Sequence, residues 1–200
     1  MINCYLENQS GRSMVEMLGV LAIIGVLSVG GISGYSKAMS KFKLTKAQDQ
    51  ITMLLMNIRT AFATSPNYGG LNNASAIAYN IAPGDMVPDF STGATGINHA
   101  FGGAVDVKAC GSTGTANVSS GQYFYIQLDN LGNEACMSLA TSDWGTDGLI
   151  GLNGGHQSTQ GTVALTGTGT PAASLPLTLS SAAVYCGGKG EYATLKWIYY

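Results

Sequence analysis

Charged residues are scarce in this chain: Lys, Arg, Asp and Glu make up 10% of its 200 residues, whereas hydrophobic residues make up 46%. A typical soluble domain carries roughly 25% charged residues. So few charges predict that a membrane, or neighbouring copies of the chain, cover part of the surface. The formal net charge of −2 argues against nucleic acid as a partner, because phosphate binding needs clustered Lys and Arg.

Other absences narrow the chemistry. The two histidines, His99 and His156, have no Ser–Asp or Cys arrangement near them that would indicate nucleophilic catalysis. The four cysteines form no C-x-x-C pair, which argues against a zinc site. The glycine-rich stretch LNGGHQSTQGT lacks the lysine of a phosphate-binding loop. The sequence therefore predicts no enzyme, no cofactor and no metal centre.

The N-terminal region lacks the features of a secretory signal peptide. Residues 1–11 contain neither Lys nor Arg, and they have no small-residue exit. Residues 17–35 then run for nineteen residues without a charge. At about 1.5 Å per residue such a helix spans about 28 Å, close to the hydrocarbon thickness of a bilayer. A buried core helix is the alternative, but uniformly apolar helices of this length are uncommon in small soluble chains. We therefore expect a membrane-spanning segment.

No proline occurs before Pro66, so nothing interrupts a helix that continues past this segment. Between residues 35 and 62 apolar side chains recur at spacings of three and four, with lysines mostly between them. This pattern is typical of an amphipathic helix with one face on a core. We predict a single helix over residues 13–63.

The remaining sequence predicts an α+β fold with an antiparallel sheet. Residues 71–81 and 133–144 read as short helices. Strands are expected at residues 103–109, 122–129, 162–165, 175–179 and 193–199.

The segment GRSMVE, from Gly11 to Glu16, stands directly before the apolar run. It resembles the prepilin cleavage and methylation signal of type IV pilins and type II secretion pseudopilins. The resemblance implies that a prepilin peptidase cuts after Gly11 and methylates the new N-terminus at Arg12, a position usually held by Phe or Met. It also implies three regions: a leader at 1–11, a transmembrane and polymerisation helix at 12–35, and a periplasmic or extracellular domain at 36–200.

Glu16 is the one acidic residue at the edge of the uncharged run. An ionisable residue there is costly in lipid and is by default a candidate functional site. The resemblance implies that the N-terminal amine of a neighbouring subunit neutralises Glu16 during assembly. Two alternatives stay open: Glu16 lies in the headgroup zone, or it pairs with Arg12 at i, i+4 in its own helix.

A second resemblance covers the body of the chain. The stretches INHAFGGAVDV, from Ile97, and QYFYIQLDNLGNEACMSLA, which includes Cys136, are similar to type IVb pilins such as the toxin-coregulated and conjugative thin-pilus subunits. This resemblance implies a disulfide between Cys136 and Cys186. By count alone, Cys110, Cys136 and Cys186 permit three different single bridges, and Cys4 leaves with the leader.

The function implied is that of a non-enzymatic structural subunit, which polymerises through its N-terminal helix into a surface filament. The implied partners are other copies of the chain, prepilin peptidase and the assembly machinery of the bacterial inner membrane, which anchors the precursor. A type II secretion pseudopilin and a minor pilin are the nearest alternatives. A pseudopilin suggests a calcium site, for which Asp143, Asp147 and Asn153 offer oxygen ligands, although their spacing fits no EF-hand loop. A signal-anchored periplasmic binding protein or enzyme is the alternative from another class.

Overall fold

The computed structural model describes residues 14–88, 96–111, 121–145, 147–157, 170–186 and 192–200. The chain divides into two compact units, Met1–Lys41 and Phe42–Tyr200. The predicted strand at residues 162–165, the cleavage-site residues Gly11 and Arg12, and Cys4 lie outside the described residues.

One long helix, α1, runs over Met14–Ala61. Its 48 residues confirm the predicted helix to within two residues at each end. Within the first unit, every described residue up to Ala38 is exposed. Ser36 does not interrupt the helix, because its hydroxyl donates to the carbonyl of Ile32 at 3.0 Å, one turn earlier.

In the second unit, α1 buries one face. The buried positions recur every three or four residues, as expected of an amphipathic helix, and comprise Ala47, Gln50, Ile51, Leu54, Leu55 and Ile58. The helix ends five residues before Pro66, and Gly70 in the following turn has a positive φ of 86°.

A short helix, α2, follows at Asn73–Ala78. It starts at a capping box: the Asn72 side chain accepts from the Ser75 amide, and the Ser75 hydroxyl accepts from the Asn72 amide. The helix is six residues long, shorter than the predicted range 71–81. A 3₁₀ turn at Gly84–Met86 precedes the sheet.

The six strands among the described residues form one antiparallel sheet in the order β1-β2-β3-β6-β4-β5. Their bounds are β1 Ile97–Asn98, β2 Ala104–Cys110, β3 Tyr123–Gly132, β4 Leu149–Gln157, β5 Thr170–Pro171 and β6 Tyr192–Tyr199. The last strand in the chain, β6, therefore lies at the centre, between β3 and β4. The predictions for β2, β3 and β6 are confirmed.

The two faces of the sheet have different neighbours. Alternate residues of β2, β3 and β6 join α1 in the main core: Val105, Val107, Ala109, Phe124, Ile126, Leu128, Ala193, Leu195, Trp197 and Tyr199. The opposite face carries a small apolar cluster of Cys110, Tyr125 and Ile198, together with buried Gln127 and Thr194. Period-two alternation in the sequence produces this division.

Two more helices join the main core on the same face as α1. Helix α3 spans Asn133–Thr141, three residues shorter than predicted, and α4 spans Leu179–Cys186. The predicted strand at residues 175–179 is wrong. Residues 175–178 have no regular structure, and Leu179 begins α4, because Thr178 caps a helix there: its carbonyl accepts from Ala182 at 2.9 Å and its hydroxyl from Ser181 at 3.3 Å.

Candidate functional site

The first unit presents the apolar surface expected of an assembly or membrane helix. Within α1 an 18-residue window reaches a mean hydropathy of 2.2, and none of it is buried. By length and composition the helix is therefore able to cross a membrane. A soluble core helix would be mostly buried, so the buried-core alternative does not describe this segment.

Glu16 lies in the first turn of α1 and is exposed. A carboxylate at this end of a helix is favoured by the helix dipole, which places positive charge at the N-terminus. From Met14 to Ser36, Glu16 is the only charged residue of the sequence.

In the second unit α1 is tied to the domain by polar groups as well as by its apolar face. Gln50, 4% exposed, donates from Nε2 to Asp85 at 2.8 Å and accepts at Oε1 from the Ala100 amide at 2.9 Å. Lys46 adds an ion pair to Asp85 at 3.2 Å. Partial burial opposes ionisation of Asp85, but the hydrogen bonds from Gln50 and Lys46 and the positive charge of Lys46 together lower its pKa. These contacts fix the helix to the loop before the sheet and to the β1–β2 turn.

A disulfide joins α3 to α4. Cys136 and Cys186 are bonded, both are fully buried, and their Cα atoms are 5.7 Å apart, a usual separation for a bridge. Of the three pairings that the cysteine count left open, the structure has the one that the type IVb resemblance implied.

Cys110 is a free, buried thiol at the end of β2. Burial raises its pKa to about 11, and the nearby Lys196 opposes this shift only in part. A thiol that stays protonated at neutral pH is a weak nucleophile. Cys110 therefore acts as a packing residue beside Tyr125 and Ile198.

The three candidate calcium ligands have other partners. Asp143 accepts from the Gly145 amide at 2.9 Å, Asp147 pairs with Arg59 at 3.7 Å, and Asn153 accepts from the Gly154 amide at 2.8 Å. Among the described residues, no three His, Cys, Asp or Glu side chains converge on a common point.

A surface cavity of ≈ 280 Å³ lies where α1 ends, near the last residue of the chain. Among the side chains that line it, Arg59 donates to the Asp147 carbonyl at 2.6 Å and lies 5.9 Å from the centre of the Tyr199 ring. The cation is thus already engaged within the domain.

Sequence reasoning missed the polar contacts of Gln50, Asn73 and His99, each of which joins segments far apart in the chain. For Gln50 one signal was available. It lies between Ala47 and Ile51 on the face predicted to be buried, where an amide needs hydrogen-bonding partners.

Comparisons with known proteins agree with this architecture. The family model described as PilS N terminal matches residues 42–199. The major structural subunits of the bundle-forming pilus from Escherichia coli O127:H6 (strain E2348/69 / EPEC) and Escherichia coli O111:H- are each 29% identical over 140 residues, which are 69% of this chain and 67% of each relative.

Two solved structures share the fold. TcpA, a type IV pilin from Vibrio cholerae El Tor biotype, superposes with a TM-score of 0.52 at 15% identity, over 79% of this chain and 99% of that one. A type IVb pilin from Salmonella typhi gives a TM-score of 0.51 at 22% identity, over 78% and 97%. The predicted α+β pilin fold is confirmed.

The family match covers the whole second unit except its last residue, and the long helix with its antiparallel sheet is the fold of the solved pilins. The relatives are structural proteins rather than enzymes, as the sequence predicted. This chain belongs to the PilS family and is a type IV pilin of the type IVb class.

Proposed function

We propose that this pilin is made as a membrane-anchored precursor, cleaved after Gly11, methylated at Arg12, and polymerised through α1 into a surface filament. The observation that carries the proposal is the apolar first half of α1, none of which is buried within the subunit, directly after the GRSMVE segment. Regions 1–11, 12–35 and 36–200 then serve as leader, polymerisation helix and outward-facing domain.

Burial of the apolar helix stabilises the filament once it has left the membrane, because the alternative there is exposure to water. The exposed large side chains between residues 14 and 35 include Met14, Leu18, Ile23, Ile24, Leu27, Ile32 and Tyr35. Removal of apolar surface from water stabilises by about 25 cal/mol per Å². In the precursor lipid covers these side chains, and in the filament the helices of neighbouring subunits replace the lipid.

Glu16 sets the register of each new subunit. A carboxylate among apolar helices needs a cationic partner, because an unpaired charge in such surroundings is strongly destabilising. In this proposal the N-terminal amine of Arg12 in a neighbouring subunit is that partner.

The partners and the location follow from this route. The precursor crosses the bacterial inner membrane once, where a prepilin peptidase and the pilus assembly machinery act on it, and the mature chain leaves in the extracellular filament. The curated relatives are major structural subunits of a bundle-forming pilus, which supports a role as the main subunit rather than a minor one.

Mass spectrometry of filaments sheared from the cell surface tests the processing step. We expect a mature chain that begins at Arg12, carries one N-terminal methyl group and contains the Cys136–Cys186 bridge. A chain that still begins at Met1 and occurs only in the membrane fraction would refute the proposal and favour an anchored periplasmic protein.

Glu16→Gln tests assembly separately, because it removes the charge and keeps the shape. We expect this variant to be processed normally but to yield few filaments. Glu7→Gln is the matched control, since it alters a leader residue that cleavage removes, and it should leave filament yield unchanged. Equal yields from both variants would exclude Glu16 from assembly.

A further inference from the structure

His99 is held in one protonation state by two backbone groups. It follows β1, in the turn before β2, and is 4% exposed. Its Nδ1 accepts a hydrogen bond from the Phe101 amide at 3.2 Å, and its Nε2 lies 2.8 Å from the carbonyl oxygen of Asp129. Because Nδ1 is an acceptor, the single ring proton is on Nε2, which donates to Asp129. Neutral imidazole therefore satisfies both contacts.

A second proton on the ring has no acceptor. It would sit on Nδ1 and face the N–H of Phe101, so that two donors oppose each other. The ring has no room to shift toward Gly103, because even a Cβ atom at Gly103 would contact both the imidazole and the Asp129 carbonyl. The turn itself is closed by hydrogen bonds from the His99 amide to Gly103, at 3.0 Å, and from the Gly102 amide to His99, at 2.7 Å.

The same turn is attached to α1. Ala100, the residue after His99, donates its amide to Gln50 Oε1. Gln50 in turn binds Asp85, which pairs with Lys46. Rearrangement of the turn around a charged His99 therefore breaks a contact with the helix as well as the contact with β3.

The charged groups on the surrounding elements do not stabilise a protonated ring. On β3, Oδ1 of Asp129 already accepts from Gln127 and Thr194, and burial raises the pKa of this carboxyl. On α1 and its adjoining loop, Lys46 and Asp85 form their own pair, and on β6 Lys196 stacks over Tyr125 at 4.2 Å. Burial lowers the pKa of His99, and only its hydrogen bond to the Asp129 backbone opposes that shift.

We propose that His99 is a proton-sensitive latch: uptake of a proton by its imidazole ring at mildly acidic pH detaches the β1–β2 turn from β3 and from α1. Unfolded His binds a proton near pH 6.5, above the pH at which the folded residue does so. Stability contributed by neutral His99 is thus fully present above pH 6.5 and falls as the pH drops below it, by up to about tenfold in the folding equilibrium constant per pH unit. The latch is a property of the folded subunit and does not depend on processing or assembly.

Urea unfolding of the full chain in detergent between pH 7.5 and 5 tests the latch. His99→Gln keeps an amide donor for the Asp129 carbonyl but does not titrate. As the pH falls below 6.5, the folding equilibrium constant of the wild type should therefore drop more steeply than that of His99→Gln, by a factor of up to about ten for each pH unit. His156→Gln is the matched control, because it removes the other histidine of the chain, and it should retain the full pH dependence.

Parallel profiles for the wild type and His99→Gln would overturn the proposal, as would loss of the pH dependence in His156→Gln. If His99→Gln does not fold, hydrogen exchange and ring titration by NMR decide the question on the wild type. We then expect the Ala100 and Phe101 amides to lose protection at acid pH before the rest of the sheet. A His99 ring that titrates near pH 6.5 with unchanged amide protection would exclude the latch.

Discussion

The side chain of Asn73 pairs with the edge of β2 as another strand would. Its Nδ2 donates to the Val105 carbonyl at 2.9 Å, and its Oδ1 accepts from the Val107 amide at 2.7 Å. Two residues along, the Ala109 amide donates to the Leu71 carbonyl at 3.1 Å. Leu71 and the first residue of α2 therefore cover the edge of β2 from the end of its pairing with β1, where an open edge would otherwise invite pairing with another chain.

Asn73→Ala should destabilise the fold, because it removes the hydrogen bonds to the Val105 carbonyl and the Val107 amide. The expected loss is about 1–3 kcal/mol in the free energy of unfolding, measured by urea titration of the full chain in detergent. Asn73→Asp retains the acceptor for Val107 but places a carboxylate oxygen against the Val105 carbonyl, so it should also be less stable than the wild type. If Asn73→Ala unfolds at the wild-type urea concentration, water replaces this side chain without cost.

Loss of the disulfide should lower the free energy of unfolding by more than the Asn73 substitutions do. The bridge closes a loop with a sequence separation of 50, for which the chain-entropy model gives about 4 kcal/mol. We expect the double variant Cys136→Ala, Cys186→Ala to lose about this much and to become insensitive to reductant. Cys110→Ala is the control, since its thiol is unpaired, and it should keep the full response of its thermal midpoint to dithiothreitol. A reductant effect that vanishes in Cys110→Ala would contradict the observed pairing.

The elements that the sequence predicted well have strong local signals. Helix α1 combines an uninterrupted apolar run with an amphipathic half, and neither contains proline. Strands β2, β3 and β6 alternate between core residues and residues of the opposite face. Such periodicities can be read from consecutive residues alone, so they predict an element without knowledge of the tertiary structure.

The elements that were missed depend on distant partners. Strand β4 contains Gly151, Gly154 and Gly155, which favour no strand by themselves, and it forms because β6 pairs with it. Gly154 also packs against the Tyr185 ring, so the small residue is required by α4 rather than by the strand.

The alternating leucines at residues 175–179 predict a strand, but only the last of them belongs to a regular element, helix α4, which the sequence did not predict. Of the candidate site, GRSMVE and the cysteine pair were visible by resemblance. The contacts of Gln50 and Asn73 join residues that are 50 and 34 positions apart, so no local pattern predicts them.

Gly103→Ala should destabilise the β1–β2 turn, because the added Cβ would contact the Asp129 carbonyl and the His99 ring. Since one of these neighbours is backbone, the structure has to shift, and overpacking of this kind costs about 1–3 kcal/mol. Gly111→Ala is the control, because a Cβ at Gly111 has nothing within 4 Å. Thermal unfolding of both variants should show a lower midpoint for Gly103→Ala alone, and equal midpoints would mean that the turn is more accommodating than its contacts indicate.

An amide at position 129 should stabilise the fold more than the ionised carboxylate of Asp129 does. It is 3% exposed, and burial raises its pKa despite the hydrogen bonds from Thr194 and Gln127. For a carboxyl with a raised folded-state pKa, the stabilising contribution is fully present below the unfolded pKa of about 3.9 and is lost as the pH rises through the folded-state pKa.

Asp129→Asn keeps the Oδ1 acceptor and carries no charge, so we expect it to equal the wild type near pH 4 and to match or exceed it at pH 7. Asp129→Ala leaves the Thr194 hydroxyl and the Gln127 amide without their acceptor, and it should lose about 1–3 kcal/mol at both pH values. Urea unfolding of the three proteins across this range measures the differences. If Asp129→Asn becomes steadily less stable than the wild type as the pH rises toward 7, the fold favours the ionised carboxylate. That result would contradict the effect assigned to burial.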